Sequence, residues 1–438
     1  MDQREIAIEI FLAGVESVKP DNLIKRYVSI NGDLLKIEKL TFKFSSLKKI
    51  YIVGAGKAST AMAQAVESIL GSRITAGHII TKYNHSAPLE FIEITEAGHP
   101  VPDENGIKGT DKIMFIVNKA EKEDLVIFLV SGGGSALLAD VPEGCTLDDL
   151  KSLNRILLKM GANINEMNCI RKHLSKIKGG LLLRAAAPAT VVSLILSDVI
   201  GDPLDVIASG PTVPDPTTFS DALSIIRKYK IENEIPEQTY RVLLEGFKKK
   251  RPETLKEFDS ILSRTHNLII GTNKLALKTA KEKAESLGYE TQIITNRLEG
   301  DVVDVACYIV ETAKNVRKEK NSKKTCLLFA GEPTVKVKGK GSGGRNQHLS
   351  LIAARLLKGC PGITILSGGT DGTDGPTDAT GAVVDSFTSE NASNLHLNIE
   401  EYINNCDSYN FFKKVGGLII TGPTQTNVMD LMVALIDD

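Results

Sequence analysis

Two short stretches of the chain set hydroxyl and ammonium groups among glycines: GAGKAS (54–59) and SGGGSALL (131–138). Each follows a short apolar run, Ile50–Val53 and Leu125–Val130, and each precedes residues that read as helix. A glycine turn opening a helix aims backbone N–H groups at a ligand, and the helix dipole there favours an anion. The first turn adds the charge of Lys57. In the second, the backbone of Gly132, Gly133 and Gly134 can approach a ligand closely, and Ser131 and Ser135 supply hydroxyls. Neither stretch is a complete nucleotide motif. GAGKAS has Ser59 where a dinucleotide fingerprint needs its third glycine, and the following run HIITKYN offers lysine in place of a ribose-binding acid. As a P-loop it fails at Tyr51 and Ala58. A tight turn with an exposed lysine is the plainer alternative for GAGKAS; the two turns together favour phosphate binding.

Carboxylates and further cations follow the same pattern. SDVIGDPLDVIASGPT (197–212) places Asp198, Asp202 and Asp205 after the apolar run Val191–Leu196. One or two carboxylates at a strand end suit Mg²⁺, whose shell phosphate and water complete; Asp198 and Asp202 are the candidates, and Asp205 is expected to cap a helix. NCIRKHLSKIKGG (168–180) carries Arg171, Lys172, His173, Lys176 and Lys178. Most of these are expected on a solvated face, with Arg171 or Lys172 able to reach a carboxylate or phosphate. In GEPTVKVKGKGSGGRNQ (331–347), Glu332 follows a strand and Arg345 stands among glycines before a helix, where a guanidinium can stabilise charge spread over phosphoryl oxygens. Asn346 and Gln347 add neutral partners. LSGGTDGTDGPTDATGA (366–382) has Asp371, Asp374 and Asp378, a spacing that fails the EF-hand pattern and carries Pro376. Magnesium or a hydroxylated substrate remains for Asp371 and Asp374, while Asp378 is expected to cap the next segment.

These residues require elements to hold them. Short apolar runs alternate with glycine-rich turns and helical periodicity, at the places already named and again at Leu268–Ile270, Leu327–Ala330, Ile363–Leu366 and Leu418–Ile420. That alternation predicts an α/β chain with largely parallel sheets. Ligands of such sheets lie beyond the carboxyl ends of the strands, where nearly every unusual motif falls. At 438 residues, about two or three domains are expected. A break is predicted within 213–265, giving an N-terminal Rossmann-like domain over 1–235 and a second α/β domain over 236–438.

Composition narrows the classes. A net charge of −1 and the lack of a dense basic stripe argue against nucleic acid as a partner. Six scattered cysteines without a CxxC pair argue against structural zinc and disulfides, and fit a reducing cytoplasm. The N-terminal residues read as an amphipathic helix rather than a signal peptide, and no later apolar run suggests a membrane span. Pairing into a homodimer is left open.

With eight motifs assembled in order (the six above, GTNKLA at 271–276 and TGPTQTNVMDL at 421–431), the chain resembles the glycerate 2-kinase family, whose C-terminal part is called the MOFRL domain. The resemblance covers nearly the whole chain. It implies ATP-dependent phosphorylation of D-glycerate to 2-phosphoglycerate with a divalent metal, in central sugar-acid metabolism, and two α/β domains with the active site in the cleft between them. Lys57 and Arg345 match the family's functionally important lysine and arginine. On this resemblance, the 131–135 turn and Asn346 would hold ATP phosphates, and Mg²⁺ would sit on Asp198 and Asp202. Lys57 and Arg345, with Asp198, would serve the transferring group. Arg171, Lys172, Glu332, Asp371 and Asp374 would orient glycerate. A rival is an NAD(P)-dependent hydroxypyruvate reductase, supported only by the broken glycine fingerprint. A non-catalytic sugar- or nucleotide-binding protein is a third class, but needs fewer polar loops.

Overall fold

The computed structural model describes residues 2–319 and 324–437. They form two compact units, one of residues 23–270 and one of residues 1–22 with 271–438. The α/β class expected from the sequence is present in both.

The first unit opens with a small antiparallel meander, β1 (Val28–Asn31), β2 (Leu34–Ile37) and β3 (Leu40–Lys43). Its main sheet comprises β4 (Ile50–Ala55), β5 (Ala76–Lys82), β6 (Ile92–Ala97), β7 (Leu125–Val130), β8 (Thr190–Leu196) and β9 (Thr265–Gly271), in the order β6-β5-β4-β7-β8-β9. The pairings from β6 to β8 are parallel. Every residue of β4 (IYIVGA) and β7 (LVIFLV) is buried, as continuous apolar runs require when helices cover both faces. Counted by appearance, the order is 3-2-1-4-5-6, that of a doubly wound nucleotide-binding sheet, and it reverses between β4 and β7. A separate helical layer packs Leu157, Ile170, Leu223 and Val242 from four helices, Leu147–Lys159, Ile164–His173, Phe219–Tyr229 and Glu237–Phe247.

The second unit carries β10 (Glu290–Leu298), β11 (Thr325–Gly331), β12 (Ile363–Gly369), β13 (Gly381–Asp385), β14 (Leu418–Ile419) and β15 (Asp430–Ile436), in the order β10-β11-β15-β12-β13-β14. Among the described strands of this sheet, β10 and β11 pair in parallel and the other pairings are antiparallel. The expectation of largely parallel sheets therefore holds for the first unit and fails for this one. The reason is β15, an apolar strand from the chain's end that inserts between β11 and β12, with Val433 opposite both Leu328 and Leu366. The N-terminal helix Gln3–Ser17 packs in this unit as well, against the helix Asn273–Ser286 and the sheet. Gly14 allows the close approach: a methyl there would lie 3.0 Å from the Ala276 carbonyl oxygen.

The unit division falls at 22/23 and 270/271, later than the predicted 235/236, and it gives the first helix to the C-terminal unit. The helices over 219–247 share the helical core of the first unit, and β9 completes its sheet beside β8. Among the described residues, no helix is long and apolar enough to cross a membrane.

Candidate active site

The turns after β4 and β7 lie on adjacent parallel strands at the point where the sheet order reverses. They are joined to each other by hydrogen bonds. Lys57 N donates to Gly132 O at 2.8 Å, and Ala58 N donates to Ser131 Oγ at 3.0 Å. Gly56 has φ +145, and a methyl there would fall 2.0 Å from Ser131 Oγ, so glycine is needed for this contact. Ser131 is thus buried in holding the turns together, while Ser135 Oγ lies 2.6 Å from Ser209 Oγ. Lys57 is followed by the helix Ser59–Leu70, whose N-terminus has no side-chain cap. SGGGSALL forms only the single turn Gly134–Leu137, not the helix expected, because the chain leaves helical geometry at Leu138 (φ −76, ψ 59).

The basic stretch is not the solvated face expected. Lys172, His173 and Lys178 are 3%, 4% and 6% exposed. Lys172 lies between Asp205 at 3.4 Å and Asp215 at 3.3 Å, so Asp205 pairs with a lysine. Lys178 pairs with Asp140 at 3.3 Å. His173 Nδ1 donates to Cys169 O at 2.7 Å, and its Nε2 faces Glu253 at 3.2 Å. Burial opposes its charge, but the Cys169 and Glu253 bonds prevail and raise its pKa to about 9. Arg171 differs from these. Its Nε donates to Asn154 Oδ1 at 2.9 Å, no carboxylate of the described residues is paired with it, and burial alone pulls its pKa down. A half-buried guanidinium without a counter-charge is suited to receiving an anion. Arg171 lines a cavity of about 230 Å³ together with Gly133, Ser135 and His99, and with a leucine-rich wall.

The loop after β8 brings Asp198 and Asp202 to the carboxyl end of the same sheet. Asp202 has φ +59, and Ala208, Ser209 and Gly210 have φ +50, +62 and +62 in succession. At the three non-glycine residues such angles cost roughly 1–3 kcal/mol each, and they concentrate at functional sites; Gly210 adopts its angle freely. Among the described residues, no three His, Cys, Asp or Glu side chains form a ready metal cluster. A two-carboxylate set matches an ion that keeps waters and binds phosphate oxygens.

In the second unit, Arg345 is the first residue of the helix Arg345–Leu356. Asp430, at the start of β15, receives its Nε and Nη2 at 2.6 and 3.0 Å, and Glu332 lies 3.1 Å from Nη1. Burial opposes the guanidinium charge, but Asp430 and Glu332 hold it protonated. Asp374 caps the same helix, accepting from Asn346 N at 3.0 Å and Gln347 N at 2.8 Å. Burial pushes its carboxyl up to about 6 against those two bonds. Asn346 is 1% exposed and also accepts from Ser367 Oγ at 2.6 Å, so the predicted phosphate ligand is enclosed in the helix cap. Asp371 accepts from Thr373 N at 3.2 Å in the β12–β13 connection. Asp378 caps nothing: it accepts from Tyr409 Oη at 2.8 Å, and the next segment is a strand.

Several residues of these clusters have no role in the motifs above, among them His99, Asn154 and Asp430. His99 stands in GHPVPD (98–103) directly after β6, and its place after a strand was a usable signal. Asn154 gave no local signal, since it acts through Arg171, and Asp430 stood in the motif TGPTQTNVMDL without a role until the fold set it against Arg345. The reductase rival finds no support in the geometry. Ser59 Oγ fills the third-glycine position by donating to Gly56 O and Ile80 O, and β5 ends on Lys82 where an acid would hold ribose.

Comparison with known proteins gives matches over the whole chain. Residues 6–244 match a family model described as a domain of unknown function (DUF4147), and residues 325–430 match the MOFRL family. A D-glycerate 2-kinase of Thermotoga maritima is 43% identical over 99% of this chain and 98% of that protein. A protein of Agrobacterium vitis, whose name offers hydroxypyruvate reductase as a provisional activity, is 41% identical over 88% of this chain and 86% of its own. The crystal structure of a glycerate kinase from Thermotoga maritima superposes with a TM-score of 0.88 at 42% identity, covering 99% of both chains.

Proposed function

Because this chain belongs to the glycerate 2-kinase family, we propose that it transfers the γ-phosphoryl group of ATP to the 2-hydroxyl of D-glycerate. The observation that carries the reading is the pair of interlocked glycine turns, with Lys57 between them, at the reversal point of a doubly wound sheet. Phosphoryl transfer asks the protein chiefly for positioning and charge neutralisation.

The backbone of Gly132–Gly134 and the uncapped start of the helix Ser59–Leu70 receive phosphate oxygens, and Lys57 neutralises the transferring group. Arg171, oriented by Asn154 and with no carboxylate partner among the described residues, binds the acid's carboxylate in the adjoining cavity. Asp198 and Asp202 would hold Mg²⁺, which when bound neutralises phosphate charge. Within the second unit, Arg345, set by Asp430 with half-exposed Glu332 its weaker partner, is a cation suited to a phosphoryl or carboxylate group. Lys172, Asn346 and Asp374 act by supporting their neighbours, since carboxylates, a hydroxyl and backbone amides already occupy them.

Incubation with Mg-ATP and D-glycerate, followed by phosphorus NMR, tests the reading. A 2-phosphoglycerate signal and ADP are expected, lost on chelation. A 3-phosphoglycerate signal overturns the regiochemistry, and hydride transfer from NADH or NADPH without ATP use overturns the class.

A further inference from the structure

We propose that His99 receives the proton of the acceptor hydroxyl during phosphoryl transfer, a role that rests on the kinase reading above. A methyl built on Gly133 (φ +82) would lie 2.8 Å from both Cδ2 and Nε2 of His99, and 3.5 Å from Lys57 Cγ. Imidazole, lysine and the glycine turn therefore converge on one spot. The same ring lines the cavity that holds Arg171. It stands between the turn proposed for the phosphates and the pocket proposed for the acid.

The other polar side chains around that cavity are occupied or cationic. Asp140 is saturated by Ser175 Oγ, Lys176 N and Lys178 Nζ. The Asn154 carbonyl oxygen accepts from Arg171, and Ser135 Oγ shares a hydrogen bond with Ser209. Lys151, Arg171 and Lys178 are cations and cannot accept a proton. Among the described residues, His99 is the cavity-lining side chain whose ring nitrogens are in no hydrogen bond. Burial, with the nearby charges of Lys57, Lys82 and His85, holds its pKa down at about 4, so the ring is neutral and one nitrogen is an open acceptor. A weakly basic nitrogen suffices here. In a loose transition state the hydroxyl proton leaves late, after bonding to phosphorus has made it acidic.

The step balances as follows. The acceptor oxygen forms a bond to the γ-phosphorus while the bond from phosphorus to the β–γ bridging oxygen breaks, and that electron pair leaves with ADP. The hydroxyl proton passes to the His99 nitrogen and from the imidazolium to water.

The test uses the full chain carrying His99→Ala, His99→Asn or His99→Gln, each first checked for an unchanged melting temperature so that at least one folded variant is assayed. kcat with D-glycerate is expected to fall about 100-fold or more, with KM for ATP little changed. Added imidazole is expected to restore part of the rate to His99→Ala and none to His99→Gln, whose side chain fills the space. A kcat within about tenfold of wild type, or a loss that imidazole leaves untouched, overturns the proton role. Wild-type enzyme that fails to phosphorylate glycerate overturns the kinase reading itself, and His99 with it.

Discussion

Arg345 and Lys57 were both legible as lysine and arginine in glycine-rich turns, yet their surroundings give the two residues different tests. For Lys57→Ala, kcat/KM should fall at least 100-fold, about 2.7 kcal/mol of lost transition-state binding, in protein confirmed to be folded; a near-native rate would remove Lys57 from the site. Arg345 forms a two-pronged pair with Asp430, which is 1% exposed. Arg345→Ala leaves that carboxylate buried alone, so a stability loss of about 3–5 kcal/mol by urea denaturation should accompany the loss of rate. Arg345→Lys separates the two effects, regaining most of the stability and little of the rate; a rate that simply tracks stability would make Arg345 structural. His173 shows how far a local reading can miss. Its folded pKa of about 9 lies above the ordinary 6.5, so its contribution to stability is complete below pH 6.5 and is lost as pH rises through about 9. Glu253, held down to about 2 against its burial chiefly by the His173 bond, gives stability that is complete above its ordinary 4.5 and is lost as pH falls from there through about 2. In Glu253→Gln the imidazole should titrate near or below 6.5 by NMR, and the alkaline decline in stability should disappear.

At the scale of elements, the strands with continuous apolar runs were readable because burial on both faces leaves no polar positions to confuse them: β7 matches its predicted run of Leu125–Val130. β15 was missed, although DLMVALI is as apolar, because no glycine turn and helix follow it. Its insertion between β11 and β12 converted an expected parallel sheet into a mixed one. Glycines also differ by the element that holds them. Gly56→Ala would drive a methyl into Ser131 and should prise the two turns apart, reducing both melting temperature and kcat/KM. Gly32→Ala, with φ +61 and nothing within 4 Å of the added methyl, should cost only about 1–2 kcal/mol and leave the rate unchanged. Equal effects of the two substitutions would refute the argument that a close approach, rather than backbone angle alone, fixes Gly56.

At the scale of the whole molecule, residues 1–22 belong with 271–438 rather than with the unit that follows them in sequence. Phe11 is fully buried, and a methyl on Gly368 would lie 2.8 Å from its Cζ, so the ring packs directly on β12. Phe11→Ala should cost about 3–5 kcal/mol, and hydrogen exchange should rise in β12 and β15 while β4 and β7 keep their protection. Faster exchange in β4 and β7 instead would contradict the division. The sequence by itself determined the α/β class, the strands buried on both faces, and the glycine turns with Lys57 and Arg345, because apolar periodicity and glycine placement are local signals. Tertiary structure alone decided that Lys172, Lys178 and Asn346 are already partnered, that Arg171 has no counter-charge among the described residues, that His99 and Lys57 both approach Gly133, and that the first helix joins the last sheet. Each of those depends on residues far apart in the chain, and the pairing of a buried charge is set by which neighbours the fold brings within hydrogen-bonding distance.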